Sequence, residues 1–68
     1  MKTYTLTYKS SQQATEFVVV MDATGLPHVI KHARQNLDVM HASMVEGETL
    51  TYTIHHNGEL VWEESCTK

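Results

Sequence analysis

Asn57-Gly58 separates two runs of strand-forming sequence, Thr49-Leu50-Thr51-Tyr52-Thr53-Ile54 before it and Glu59-Leu60-Val61-Trp62-Glu63-Glu64 after it. Asparagine and glycine accept the positive φ that a tight hairpin turn demands, and period-two alternation sends successive side chains to opposite faces of a strand. Thr49 to Glu64 is therefore expected to form a β-hairpin. Its register depends on the loop length. A two-residue turn at Asn57-Gly58 would pair Ile54 with Val61 and Thr53 with Trp62, setting Leu60 and Trp62 on the threonine face. A three-residue loop, His56-Asn57-Gly58, pairs Ile54 with Leu60 and Tyr52 with Trp62. The second register is expected, because burying Trp62 against Tyr52 removes more apolar surface from water. It sends Tyr52, Ile54, Leu60 and Trp62 into the core and leaves Glu59, Glu63 and the threonines outside.

A chain of 68 residues holds one hydrophobic core, so residues 1–68 form a single domain. The apolar content of 41% and charged content of 19% suit a globular fold. A lone cysteine, Cys66, rules out an intrachain disulfide as a support for so small a scaffold. The longest apolar run, Phe17 to Met21, is far short of the roughly 20 residues that span a bilayer. The start, Met1-Lys2-Thr3-Tyr4-Thr5-Leu6, alternates where a signal peptide would place a basic segment before an apolar stretch. A cytoplasmic protein with a reduced thiol and no membrane association is the expectation.

Thr3 to Tyr8 repeats the alternation of the hairpin, with Tyr4, Leu6 and Tyr8 pointing inward. Polar residues 9–13 form a turn to a second, antiparallel strand, Thr15 to Met21. Phe17, Val19 and Met21 of that strand face the core, and Val18 and Val20 emerge on the other side. Asp22 or Thr24 caps a helix that Pro27 opens, since proline lacks an amide that the first turn would leave unpaired anyway. Leu26, Val29, Ile30, Ala33 and Leu37 recur at helical spacing, with His28, Lys31, His32, Arg34 and Gln35 mostly opposite. The helix should fray near Leu37 or Asp38, where Asn36 and Val39 weaken it. Ala42 to Val45 is expected to be a short strand, and Gly47 a turn before the hairpin. The expected class is α+β: an antiparallel sheet of four to five strands with one helix packed on one face, in the order ββα(β)ββ.

His28 and His32 stand four apart on a helix, the spacing that grips one side of a metal ion. Two ligands are too few for a zinc site, and valine follows the first histidine where a zincin helix needs glutamate, so no metal and no cofactor are expected. His55 and His56 flank the turn as solvated loop residues. Cys66, near the terminus, has neither a base nor a helix end close in sequence to activate it. Glu63 and Glu64 are adjacent, so a strand points them to opposite faces and they cannot act as a carboxylate pair. With no phosphate loop or nucleophile-histidine-acid order, enzymatic activity is not expected.

Binding is the remaining class. The net charge is −3, yet it is unevenly distributed: residues 46–68 hold five glutamates against Lys68. Lys31 and Arg34, with His28, His32 and Gln35, mark a helix face suited to an acidic protein or a ribonucleoprotein complex. Two fixed positive charges disfavour free nucleic acid, whose binding rests on several phosphate contacts. Val18, Val20 and Val61 amid threonines mark the outer sheet face, where a second copy or another partner would dock.

The order of strand, strand, helix, short strand and hairpin resembles that of small inhibitors made by phages and other mobile elements, the anti-CRISPR proteins being the nearest group. The residues that carry the likeness are the helix start Ala23-Thr24-Gly25-Leu26, the basic Lys31, and the closing hairpin from Asn57-Gly58 to Trp62. The resemblance implies a non-enzymatic inhibitor that blocks a host nucleic-acid-processing complex, such as a CRISPR surveillance complex, by docking basic residues, here Lys31 and Arg34, on its nucleic-acid groove. The net acidity of this chain is a departure and offers nucleic-acid mimicry by the glutamates as another route. The alternative function is a small homodimeric structural or regulatory module.

Overall fold

The alternating N-terminal run forms β1 (Lys2–Ser10), the valine-rich run β2 (Phe17–Ala23), the amphipathic stretch α1 (Leu26–Ala42), and the arms of the hairpin β3 (Thr49–His56) and β4 (Glu59–Thr67). The computed structural model describes residues 1–68. The strands make one antiparallel sheet in the order β2-β1-β3-β4. Because β2 and β3 both run antiparallel to β1, they are parallel to each other, and α1 carries the chain across β1 between them. That crossover lays the helix on one face of the sheet and leaves the opposite face without a covering layer.

The core sits where the helix meets the two central strands. Tyr4, Leu6 and Tyr8 of β1 and Leu50, Tyr52 and Ile54 of β3 are buried beneath Val29, Ala33 and Leu37 of α1. Leu6 stands opposite Ile54 and Tyr8 opposite Tyr52, so the inward sets of both strands form one surface. Leu6, Val29, Tyr52 and Ile54 are completely buried, and each such aliphatic side chain contributes roughly 1.5–3 kcal/mol by leaving water. In β2, Val19 and Met21 pack against this core as expected, and Ala23 is buried. Phe17, at the end of the edge strand, is 56% exposed and lies against Tyr8.

The helix departs from its sequence expectation at both ends. Its N-cap is Gly25, in extended conformation and without a side-chain cap. Asp22 instead accepts a hydrogen bond from the Thr3 hydroxyl at 2.6 Å across the β1–β2 pair. The helix runs past Leu37 to Ala42 because tertiary contacts outweigh local propensity. Met40 packs against the core, and the Lys68 ammonium donates to the carbonyls of His41 and Ala42 at 3.1 and 3.4 Å. A cation at the C-terminal carbonyls also opposes the negative end of the helix dipole. The expected strand at Ala42–Val45 does not form. Ser43 caps the helix through Met40, and Met44 turns inward to become a core residue.

The hairpin also differs from its expected register. Asn57 and Gly58, at φ 53° and 78°, make a two-residue turn, so His56 pairs with Glu59 and His55 with Leu60. A β-bulge at Val61 then shifts the ladder, and Ile54 pairs with Trp62, Thr53 with Glu63 and Tyr52 with Glu64. The bulge reconciles two demands that an unbroken ladder sets against each other. Asn-Gly keeps the tight turn it favours, and Trp62 still reaches the helix side, where its indole N–H donates to the Tyr52 hydroxyl at 3.2 Å. Leu60 is displaced to the open face and is 51% exposed. Gly58→Val forces a β-branched side chain into left-handed φ, and urea denaturation should register a loss of about 1–2 kcal/mol.

Candidate functional site

The two surfaces marked by the sequence fare differently. On α1, His28, Lys31 and Gln35 point into solvent. Arg34 and His32 lie on opposite flanks of the helix and are held there. The Arg34 guanidinium grips Glu64 of β4 with two hydrogen bonds, Nη2 to Oε1 at 2.5 Å and Nε to Oε2 at 3.2 Å. This fork-to-carboxylate geometry is the favourable one for arginine. Half-buried His32 has Nε2 3.3 Å from the amide nitrogen of Asn36, which also donates to the Tyr8 hydroxyl at 3.3 Å. Asn36 thus engages the His32 Nε2, and nowhere do three or more His, Cys, Asp or Glu side chains gather to hold one ion. Of the lysine and arginine side chains of α1, Lys31 alone remains without an acidic partner.

The bulge explains the Arg34–Glu64 pair. Placing Glu64 opposite Tyr52 turns it to the helix side, while Glu63, opposite Thr53, faces the other way. The arginine holds the Glu64 carboxyl below the ordinary carboxylate range, chiefly through the hydrogen bonds, and Glu64 raises the arginine in return. A second carboxylate, Glu48, lies buried where β3 begins. It accepts from the Ser10 hydroxyl and from the Val45 amide, and these bonds, the serine first, depress its pKa. Burial raises the phenols of Tyr8 and Tyr52.

These shifts fix the pH dependence of stability. A depressed carboxyl stabilises the fold above its unfolded value and ceases to do so as pH falls through the folded one. A raised phenol stabilises the fold below its unfolded value and loses that effect as pH climbs. Melting curves should accordingly show a plateau from above 4.5, the ordinary value for Glu48 and Glu64, to below 10.0, that for Tyr8 and Tyr52. Glu64→Gln should flatten the acid limb only in part, because Glu48 titrates there as well.

The open sheet face is built from the outward positions of all strands. Across it run the rows Val20-Thr5-His55-Leu60 and Val18-Thr7-Thr53-Glu63, then Lys9-Thr51-Ser65. Val18 and Val20 are 54% and 65% exposed. Val61, expected on this face, is half-buried at the bulge and packs against the core, so Leu60 takes its place at the β4 edge. Lys9 and Glu16 neutralise each other at 3.3 Å, which leaves Glu63 as the acidic group among the central rows. The two edge strands are unlike. β4 carries a bulge and the charges of Glu59, Glu63 and Glu64, features that discourage pairing with another sheet, whereas β2 from Phe17 to Met21 has no bulge, proline or charge.

Cys66 lies within β4 opposite Leu50 and packs against the core, half-buried, rather than in a loose terminus. Leu60, Glu48 and Glu64 are the notable residues that the sequence did not single out for these places. Leu60 depends on the two-residue turn, Glu64 on the bulge, and Glu48 on a contact with Ser10 far away in the chain.

Together these features define a small α+β domain with one helix on a four-stranded antiparallel sheet and the other sheet face open. No helix is long and apolar enough to cross a membrane. Comparison of the chain with protein-family models, curated proteins and solved structures finds no match.

Proposed function

We propose that this protein is a non-catalytic binding module that acts in the cytoplasm by occupying the surface of a larger partner, and that it docks through the open sheet face. The observation that carries this reading is the exposure of Val18, Val20 and Leu60 on a sheet face that no other part of the chain covers. Val18 and Val20 are neighbours at the β2 edge and Leu60 stands at the β4 edge, with Thr5, Thr7, Thr53 and His55 between them, so a partner lying across this face meets apolar contacts at both sides and hydroxyls in the middle. The helix face is the weaker candidate, since Arg34 is already engaged by Glu64 and Lys31 alone is left to offer a fixed positive charge.

The resemblance of the strand, strand, helix and hairpin order to that of anti-CRISPR inhibitors, without the short strand first expected before the hairpin, directs the search for the partner to host nucleic-acid-processing complexes, CRISPR surveillance complexes first. A protein that blocks such a machine by occupancy forms a stoichiometric complex and lowers nucleic-acid binding in proportion to the fraction occupied. Mixing the purified chain with a surveillance complex, followed by gel filtration and a target-DNA binding assay, tests this directly. Co-elution with loss of DNA binding supports the inhibitor reading, and separate elution with unchanged DNA binding removes that target.

A second reading, a homodimeric module, draws on the uncharged edge of β2. Two copies joined along Phe17 to Met21 would extend the sheet and set the Val18 and Val20 pairs of both copies side by side on one continuous face. Sedimentation equilibrium should then give twice the 7.7 kDa chain mass at high concentration. A monomer at every concentration excludes it.

A further inference from the structure

A cavity of about 150 Å³ opens between the end of α1, the β1–β2 loop and the adjoining ends of β1 and β3. Tyr8, Phe17, Met40, Met44 and Leu50 form its apolar half, and Ser10, Gln13, Thr15, Ser43 and the carboxylate of Glu48 its polar half. A volume of roughly 150 Å³ is enough for a guest about the size of a benzene ring, and here the guest would leave one side towards solvent. The rings of Tyr8 and Phe17 stand with centroids 6.0 Å apart and planes tilted by 45°, forming an aromatic corner. The two methionines add flexible, polarisable surface that adapts to a guest's shape.

The polar group of this cavity has a defined sense. The Ser10 hydroxyl oxygen accepts the Gln12 amide at 3.1 Å and sends its proton to Glu48 Oε2, while the Val45 amide donates to Oε1 at 3.0 Å. A carboxylate offers about four lone-pair sites, so two donors leave acceptor capacity on both oxygens. No basic side chain pairs with Glu48: Lys9 holds Glu16, Arg34 holds Glu64, and the Lys68 ammonium is turned to the carbonyls of α1. Its lowered pKa, caused first by the Ser10 hydrogen bond, keeps the group ionised at neutral pH. The cavity thus combines an unpaired negative charge, aromatic faces that attract cations and a small volume with one apolar and one polar side.

We infer that this cavity is a binding site for a small organic ammonium ion whose apolar body is about the size of a benzene ring. The ammonium hydrogens meet the remaining lone pairs of Glu48, and the body fills the space between Tyr8, Phe17 and the two methionines. A neutral guest of the same shape loses the charge attraction, and an anionic guest is repelled.

The test is a titration of the full chain with benzylammonium, benzyl alcohol and benzoate, followed by amide chemical shifts. Benzylammonium should bind saturably, with shifts concentrated at Ser10, Phe17, Met44 and Glu48. Benzyl alcohol should bind at least about tenfold more weakly and benzoate not at all. Glu48→Gln should bring benzylammonium and benzyl alcohol to within about threefold of each other. Ser10→Ala retains the carboxylate and should retain the preference. If Glu48→Gln does not fold, the wild-type comparison of the three probes decides alone. Equal binding of the cationic and neutral probes, unsaturable shifts spread over Glu59 and Glu63, or a preference that persists in folded Glu48→Gln overturns the inference.

Discussion

Ile54→Ala should lower the unfolding free energy by about 2–5 kcal/mol, while Leu60→Ala should change it by no more than about 0.5 kcal/mol. Ile54 is completely buried and pairs with Trp62, so its truncation loses transfer free energy and leaves a cavity under the helix. Leu60 is half exposed on the open face, where truncation removes little packing. In a three-residue loop the two residues would be cross-strand partners in one core, and both substitutions would be costly. The contrast therefore separates the observed two-residue turn from a three-residue loop. A domain this small has little stability in reserve, so Ile54→Ala alone is expected to populate the unfolded state measurably at room temperature. Urea denaturation of the two variants, with unchanged m for Leu60→Ala, is the check.

The second large effect concerns binding. Val18→Lys combined with Val20→Lys should weaken the complex with the partner by at least about 30-fold, equivalent to roughly 2 kcal/mol, because two ammonium groups must be desolvated against an apolar contact. Both positions are more than half exposed, so the melting temperature should stay close to that of the wild type. Lys31→Glu reverses the unpaired charge on α1 and should leave affinity within about threefold. The opposite pattern, loss with Lys31→Glu and retention with the double lysine variant, moves the docking surface to the helix. The same variants apply to self-association, where the double substitution should yield a monomer.

Much of the fold is legible in the sequence because periodicity records burial. The alternation of Tyr4, Leu6 and Tyr8 and the helical recurrence of Val29, Ala33 and Leu37 specify the inward faces whatever lies across from them. What escaped depends on residues distant in sequence. The final turns of α1 are supported by Lys68, the Ala42–Val45 segment is drawn inward by Met44, and Glu48 meets Ser10 across the sheet. The bulge left only the run Leu60-Val61-Trp62, which also fits either unbroken register. Because the two-residue turn puts Leu60 rather than Val61 on the open face and the bulge that follows turns Glu64 to Arg34, the turn and its bulge together account for the revisions to both candidate surfaces.

Photo-crosslinking tests the central claim, docking through the open sheet face, most directly, and it works whatever the partner is. A photoreactive side chain is placed at position 20, on the open face, or at position 35, on the outer face of α1, and the two proteins are irradiated in host lysate and alone at high concentration. A discrete adduct from position 20, with none from position 35, is the expected result; its mass distinguishes a second copy from a foreign partner. An adduct from position 35 alone, or no adduct from position 20 under either condition, contradicts the account.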